Sequence, residues 1–243
     1  MTVLVLGGTS EARDLAAALA SEGTHVISSL AGRVERPRLP AGEVRVGGFG
    51  GPSALAAWLS EHRVAAVVDA THPFAQRISE SAATACSASG VPLLRLERPG
   101  WTQHADDDWH WVDDTAGAAA AISGLGRRVF LTTGRQGLAA FAGLSEAWFL
   151  IRCIDPPEPP LPPACEVLLD RGPYDLAGEL ALIDRHGLDL LVTKDSGGEL
   201  TAAKLEAARL RSLPVIVIRR PRRPETATVR DVAGALAWLA GAA

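Results

Sequence analysis

The 243-residue sequence has few of the residues that mark secreted, metal-binding or membrane proteins. Its three cysteines, Cys86, Cys153 and Cys165, are an odd number without metal-ligand spacing. This favours core positions in a reduced cytoplasmic setting over a disulfide framework or a metal site. No apolar run approaches the ~20 residues that a membrane helix needs, and we expect no signal peptide. We therefore predict a cytoplasmic protein that binds neither a membrane nor a metal.

Neither sign of charge is in large excess, because the net charge is only -4. A nucleic-acid partner is therefore not expected. Lysine is nearly absent: of 24 basic residues only Lys194 and Lys204 are lysine, and the rest are arginine. A lysine at a special position is then of interest, since its pKa shifts more readily than that of arginine. Tyr174 is the only tyrosine. No lysine lies four residues after it, which excludes the Tyr/Lys pair of a short-chain dehydrogenase.

Short apolar strands alternate with alanine-rich helices along the chain, and hydrophobic residues make up 47% of it. The strands are continuous apolar runs, typical of a parallel sheet covered on both faces. The alternation pauses from Glu97 to Asp114, which we interpret as a connection, and Thr228 to Ala243 is predicted to be the last helix. The predicted fold is α/β, with two Rossmann-like halves, mostly parallel sheets and a cleft between them. We divide it into domains 1–97 and 98–243.

The turn GGTSEAR follows the first predicted strand, and in such sheets ligands bind beyond the carboxyl ends of the strands. Gly7 and Gly8 allow close approach of a ligand to the backbone. Thr9 and Ser10 add hydroxyl groups at a helix start, where free N–H groups attract phosphates. The usual G-x-G-x-x-G fingerprint is broken, since Thr9 and Ala12 replace its second and third glycines. The motif alone leaves a nucleotide site and a plain capped turn equally open.

Two further residues of the first half are candidate cofactor contacts. The second strand ends in SSLAGR, without the acidic residue that usually holds the ribose of NAD. Arg33 could instead meet a 2′-phosphate, so NADPH is predicted over NADH, although a solvated loop arginine is the alternative. His72, in the turn ATHPFA, is either a ligand contact or a capping histidine before Pro73.

The turns TTGRQG and TKDSGG of the second half mirror the first turn. Lys194 ends a predicted strand there, and near a developing carbanion it could deliver a proton or stabilise charge. Asp195 could orient Lys194 or cap the following helix. The basic run from Arg219 to Arg223 is either a solvated loop or an anchor for an acidic ligand.

Seven motifs in this order resemble the precorrin-6A reductase family of cobalamin biosynthesis: LGGTSEAR, GGFGG, DATHPFA, RLERPGW, LTTGRQGL, DRGPYDL and LVTKDSGG. The resemblance covers nearly the whole chain. It implies an NADPH-dependent enzyme that reduces one double bond of a tetrapyrrole, with hydride added at C19 and a proton at C18, to give precorrin-6B. It also implies that NADPH lies across loops of both halves.

The resemblance guides our assignment of roles. Lys194 is the expected catalytic residue, for protonation or charge stabilisation. Asp195, Ser196 and Gly197 are assigned to substrate binding. The substrate carries many acetate and propionate groups, which suits an arginine-rich cleft. The expected cofactor-binding residues are Gly7, Gly8, Thr9, Ser10, Arg33, His72, Thr133, Gly134, Arg135 and Gln136.

Three alternatives stay open. The ring could carry cobalt, as in the anaerobic counterpart of the family. A non-catalytic NADPH-sensing module would bind the cofactor without needing Lys194. An activated-sugar transferase could also be built from two Rossmann-like halves. The working hypothesis for assembly is a monomer that could contact neighbouring enzymes of the pathway.

Overall fold

The computed structural model describes residues 1–32 and 38–241. Over these residues the chain forms twelve strands and seven α-helices. The strands are β1 (Thr2–Leu6), β2 (His25–Leu30), β3 (Glu43–Val46), β4 (Val64–Asp69), β5 (Leu93–Leu96), β6 (Trp109–Val112), β7 (Arg128–Leu131), β8 (Trp148–Cys153), β9 (Cys165–Leu169), β10 (Leu190–Lys194), β11 (Val215–Ile218) and β12 (Ala227–Val229). The α-helices are α1 (Ser10–Ser21), α2 (Pro52–Glu61), α3 (Gln76–Ser89), α4 (Thr115–Ile122), α5 (Leu176–His186), α6 (Ala203–Leu210) and α7 (Val232–Gly241). Two short 3-10 helices span Leu138–Phe141 and Glu199–Thr201.

The chain divides into two compact units, and the first of them is discontinuous. The first unit is Met1–Pro99 together with the chain from Arg222 onward, and the second unit is Gly100–Pro221. The prediction that residues 98–243 all belong to the second domain is therefore wrong for the segment that begins at Arg222.

The first unit contains a six-stranded sheet in the order β12-β5-β4-β1-β2-β3, and every pair in it is parallel. Apart from β12, which comes from the end of the chain, this is the Rossmann order, in which the strand order reverses between β1 and β4. Helices α1 and α7 pack on one face of the sheet, where they bury their own Leu15 and Leu239 in the core. Helices α2 and α3 cover the other face over Leu55 and Leu59. Burial on both faces explains why these strands are apolar throughout.

The second unit repeats this arrangement with the order β6-β11-β10-β7-β8-β9, again all parallel. Its strand order reverses between β7 and β10. Helices α5 and α6 pack against each other beside a core that includes Phe130, Leu191 and Val217. The α/β prediction with parallel sheets is confirmed. None of the helices in residues 1–32 and 38–241 is long and apolar enough to cross a membrane.

The sixth strand of each sheet comes from an unexpected part of the chain. β6 lies inside the segment that we interpreted as a connection, and it completes the second sheet beside β11. β12 occupies the start of the predicted last helix, and it completes the first sheet beside β5. Both predictions were wrong because these edge strands have only four and three residues and lack the apolar run of a central strand.

Candidate functional site

The turn between β1 and α1 lies at the reversal point of the first sheet. The Thr9 side chain caps α1 by accepting a hydrogen bond from the Ala12 N–H at 3.1 Å. The same hydroxyl donates to the carbonyl of Ala70 at 2.8 Å, which ties this turn to the one after β4. A side chain on Gly7 would touch the Ala12 Cβ at 3.5 Å. Ala12 and Thr9 therefore pack and cap where the usual fingerprint has glycines.

Gly8 is the open point of this turn. Its φ of 118° is a conformation that favours glycine, and nothing lies within 4 Å of where a Cβ would be. Ser10 follows at the first position of α1, where the leading N–H groups have no partner inside the helix. Glu11 is acidic, but Arg98 pairs with its carboxylate at 2.9 Å. A negatively charged ligand would therefore meet a glycine, a helix start and a neutralised carboxylate.

The turn after β4 contains a buried carboxylate that the sequence analysis missed. Asp69 is 1% exposed and accepts hydrogen bonds from the Thr71 and Ser79 hydroxyls, both at 2.6 Å. Arg223 approaches the same carboxylate to 3.9 Å and also pairs with Glu97. An aspartate that ends an apolar strand, with a threonine two residues later, was the available signal, since Asx-type turns use this spacing.

His72 lies half-buried in this same turn. Its Nδ1 accepts a hydrogen bond from the Phe74 N–H at 3.2 Å, and its carbonyl accepts one from the Ala75 N–H at 2.8 Å. These bonds shape the turn before α3. They match the capping alternative.

The carboxyl ends of β2 and β3 bring together Ser29 and Arg45, which are neighbours in the parallel register. The Gly7 N–H donates to the carbonyl of Ser29 at 2.9 Å, so this edge joins the glycine turn. Arg45 donates to the Ser29 hydroxyl at 3.3 Å and stacks on Phe49, 3.7 Å from the ring centre. Burial lowers the pKa of Arg45 from its ordinary value. Arg33 lies outside the described residues.

In the second unit, Lys194 and Thr133 meet at the reversal point between β7 and β10. The Lys194 Nζ donates a hydrogen bond to the carbonyl of Thr133 at 2.8 Å. Burial lowers the pKa of Lys194, because the charged ammonium is poorly solvated there. The Thr133 hydroxyl is buried without a hydrogen-bond partner. Thr133 therefore accepts a hydrogen bond from the Lys194 ammonium through its carbonyl, while its own buried hydroxyl makes no hydrogen bond.

The remaining residues of these turns differ in exposure. Gly134 has φ 74° with open space at its Cβ position, and Arg135 and Gln136 are exposed beyond it. Ser196 is half-buried and donates its backbone N–H to the Lys194 carbonyl at 2.7 Å. Gly197 is buried with φ 64°. This turn thus holds the backbone directly after Lys194 in a fixed bend.

Asp195 is held by the protein on several sides. One carboxylate oxygen accepts from the Trp101 N–H at 3.0 Å, and the other lies 3.3 Å from the Arg220 Nε. A side chain on Gly100 would come within 2.6 Å of this carboxylate. These contacts join β10 to the chain that enters the second unit. They match a structural role better than the predicted contact with substrate.

The basic run is not a free cationic anchor. Arg220 pairs with Asp195, Arg219 lies 3.4 Å from Asp113, and Arg223 is buried against Glu97. The solvated-loop interpretation is also wrong for Arg223, whose side chain is 4% exposed. The sequence of the run does not indicate which of its arginines pair with carboxylates of the protein.

The three cysteines are free thiols in the described part of the chain. Burial and the nearby Asp69 raise the pKa of the Cys86 thiol to about 11, and burial also raises that of Cys153. Both are core residues, and Cys165 is partly exposed. Among residues 1–32 and 38–241, no group of three or more His, Cys, Asp and Glu side chains is arranged to hold a metal ion.

Comparison with known proteins identifies the family. The family model described as precorrin-6x reductase CbiJ/CobK matches residues 2–240. The chain belongs to this family. A precorrin-6A reductase of Rhodococcus erythropolis is 55% identical to it over 98% of this chain and 96% of the relative. One from Mycobacterium tuberculosis is 48% identical over 98% and 97% of the two chains.

Solved structures and more distant relatives agree with this assignment. The structure of CobK precorrin-6A reductase superposes with a TM-score of 0.94 at 41% identity, covering 100% of this chain and 97% of the other. A cobalt-precorrin-6A reductase of Salmonella typhimurium is 31% identical over 90% and 87% of the two chains. The resemblance inferred from the seven motifs is confirmed. Membership of the precorrin-6x reductase family makes this chain a reductase, and a nicotinamide cofactor is general for such enzymes.

The first unit fits such a cofactor. Gly8 leaves room for a pyrophosphate against the backbone, and the start of α1 offers N–H donors to it. The carboxyl end of β2, where a Rossmann sheet receives the ribose, carries Ser29 rather than an acid, and Arg45 of the neighbouring β3 is hydrogen-bonded to Ser29. Ser10 adds a half-buried hydroxyl beside the turn.

Proposed function

We propose that this precorrin-6x reductase catalyses the NADPH-dependent reduction of precorrin-6A to precorrin-6B in cobalamin biosynthesis, adding hydride at C19 and a proton at C18. The observation that carries the proposal is Lys194, the one lysine at a sheet reversal point, whose Nζ bonds to the Thr133 carbonyl. Family membership supplies the reaction class, and this lysine supplies a proton source within it.

The names of the relatives favour a ring without cobalt. Relatives between 42% and 55% identical are precorrin-6A reductases, whereas those between 27% and 31% identical are cobalt-precorrin-6A reductases. The identities favour the cobalt-free substrate. The enzyme is proposed to act in the cytoplasm as a monomer.

The bound nicotinamide would supply the hydride, and the chain would supply position and a proton. Gly7 and Gly8 would admit the pyrophosphate, and Thr9 and Ser10 would fix the turn around it. His72, in the turn after β4, would also contact the cofactor. In the second unit, the residues proposed to contact the cofactor are Thr133, Gly134, Arg135 and Gln136.

Lys194 would protonate C18 or stabilise the charge that develops on it. A half-buried ammonium whose pKa is lowered by desolvation is a stronger acid than a solvated one, which suits proton delivery. The hydrogen bond to the Thr133 carbonyl would hold Nζ in place between turnovers. Ser196 and Gly197 are proposed to contact substrate, while Asp195 would act mainly through its bonds to Trp101 and Arg220.

The decisive experiment is anaerobic turnover of precorrin-6A with NADPH or NADH, followed by mass spectrometry. We expect a product heavier by one hydrogen molecule with NADPH and little with NADH. NADPH deuterated at the transferable position should label C19, and heavy water should label C18. Folded protein that reduces only the cobalt-containing ring would overturn the cobalt-free assignment, and reduction of neither ring would overturn the proposed activity.

A further inference from the structure

Arg45 lies where a Rossmann sheet distinguishes NADP from NAD, although it does not follow β2 in sequence. It occupies β3, directly opposite Ser29 at the carboxyl end of β2. Ser29 is in turn bonded through its carbonyl to the first glycine of the β1–α1 turn, Gly7. Two hydrogen bonds thus connect the Arg45 guanidinium to the proposed dinucleotide turn.

The surroundings of Arg45 orient its guanidinium without neutralising it. Besides Ser29, it donates to the carbonyls of Gly47 at 2.6 Å and Gly48 at 2.7 Å, and all three acceptors are uncharged. Phe49 lies against the guanidinium at 3.7 Å. Within residues 1–32 and 38–241, no carboxylate forms an ion pair with Arg45. A held, half-buried cation of this kind gains most from a divalent oxyanion.

The local backbone leaves space for such an anion. Gly47, with φ 114°, and Gly48 both have nothing within 4 Å of a Cβ position. Gly47 and Gly48 therefore add no side chain of their own beside the guanidinium that bonds to their carbonyls. The neighbouring strand β2, with the sequence HVISSL, contains no acidic residue that would repel a phosphate or bind a ribose diol. The Ser28 hydroxyl near its end is buried without a hydrogen-bond partner.

We infer that Arg45 binds the 2′-phosphate of NADPH and sets the preference of this enzyme for NADPH over NADH. The inference rests on the proposed function and goes further, because it assigns cofactor choice to a strand residue rather than to the loop arginine Arg33. The phosphate would accept hydrogen bonds from the guanidinium N–H groups that do not donate to the turn. The Phe49 ring would keep the plane of the guanidinium fixed.

The test is equilibrium binding of NADPH and NADH to the full-length protein, without substrate, followed by nicotinamide fluorescence. Arg45→Met keeps a long unbranched side chain and removes the charge, so NADPH affinity should fall on the order of 10- to 100-fold while NADH affinity stays unchanged. Arg45→Lys should keep part of the preference. Arg63→Met, an exposed arginine after α2, is the matched control and should bind both cofactors as the native chain does.

A second probe needs no nicotinamide. The melting temperature should rise more with 2′,5′-ADP than with 5′-AMP, and Arg45→Met should abolish this difference. Equal loss of NADPH and NADH affinity in both Arg45 variants would overturn the inference and make Arg45 a structural strut. Retained discrimination in Arg45→Met, with loss in Arg33→Met, would also overturn it while leaving the proposed function intact. Native protein that does not distinguish the two cofactors would overturn the NADPH assignment itself.

Discussion

Lys194 shows how a single residue can connect burial to chemistry. Most cationic positions in this chain are arginine, whose guanidinium does not release its proton at accessible pH. Burial lowers the pKa of Lys194, and its hydrogen bond to Thr133 is to an uncharged carbonyl, which does not restore the pKa as a carboxylate would. A lysine in this environment can donate and regain a proton, which an arginine there could not.

The first prediction concerns the pH dependence of turnover. The protonated form of Lys194 is the active one, so kcat should decline as pH rises through its lowered pKa. Lys194→Met should reduce kcat about 10²- to 10⁴-fold and remove this decline. Lys204→Met removes the other lysine, whose Nζ bonds to the Thr201 carbonyl, and should leave the pH profile unchanged. An unaltered pH profile in Lys194→Met would remove Lys194 from the proton transfer.

Gly8 and Gly23 allow backbone strain to be separated from ligand contact. Both have positive φ with nothing near a Cβ position, but they lie at opposite ends of α1. An alanine at either site must adopt a positive φ, at a backbone cost of about 1–3 kcal/mol. Only the alanine at Gly8 would stand where the pyrophosphate is proposed to approach.

The second prediction follows from this pair. Gly8→Ala should weaken NADPH binding by about tenfold or more, while Gly23→Ala should lower stability similarly without affecting binding. Denaturant unfolding gives the stability change, and cofactor titration gives the affinity. Equal affinities in the two variants would show that the β1–α1 turn does not hold the pyrophosphate.

At the scale of elements, the turn after β4 is braced by a residue that is distant in sequence. Arg223 lies just before β12, and it reaches Asp69 at the end of β4 and Glu97 after β5. Asp69 also fixes α3 through Ser79. The ion pairs therefore connect the carboxyl ends of neighbouring strands with the helix that follows one of them.

The third prediction is that Arg223→Met destabilises the protein by about 3–5 kcal/mol, because it removes the buried cation that pairs with Asp69 and leaves Glu97 with the more distant Arg95, at 4.0 Å. Arg222→Met changes an exposed neighbour and should stay within about 0.5 kcal/mol of the native chain. Urea unfolding of both variants measures the difference. Similar stabilities would mean that Asp69 and Glu97 are satisfied without Arg223.

The central strands are predicted well from the sequence because buried strands consist almost entirely of apolar residues. β1 and β4 are apolar runs, and the turns after β1, β4, β7 and β10 were all recognised as candidate sites. Edge strands β6 and β12 escaped prediction because their pairing, not their composition, makes them strands. Arg45 escaped for a related reason: it sits between Val44 and Val46 in a strand, and only the register with β2 brings it to Ser29.

The candidate site was predictable in its turns but not in its internal bonds. Lys194 was singled out from the scarcity of lysine, but its bond to the Thr133 carbonyl depends on the neighbouring positions of β7 and β10. Asp195 was assigned to substrate binding, whereas in the structure its carboxylate contacts Trp101 and Arg220. Pairing between distant segments leaves no local pattern in a sequence.

On the scale of the whole molecule, each unit uses the same strand order but closes its sheet differently. Five strands of each unit have the shared order and follow one another in the chain, β1–β5 in the first unit and β7–β11 in the second. The sixth position is filled in the first unit by β12 and in the second unit by β6, the strand that precedes the other five. Helix α7 then packs on α1, with Leu239 only 2% exposed in the first core.

The fourth prediction tests this assignment. Leu239→Ala should cost about 2–5 kcal/mol and raise hydrogen exchange in residues 3–30 more than in residues 128–153. Leu210→Ala, an exposed leucine on α6 in the second unit, should change stability little. Exchange measured by mass spectrometry resolves the two units. Greater loss of protection in the second unit would contradict the placement of α7 with the first sheet.

The split first unit has a consequence for synthesis on the ribosome. The strands β1–β5 are translated first, but their sheet lacks β12, α7 and Arg223 until the segment after Pro221 has emerged. The second unit, encoded entirely by residues 100–221, can finish folding earlier. The half of the enzyme that is made first is therefore completed last, and its exposed β5 edge and uncovered α1 face are the surfaces for a chaperone to shield during translation.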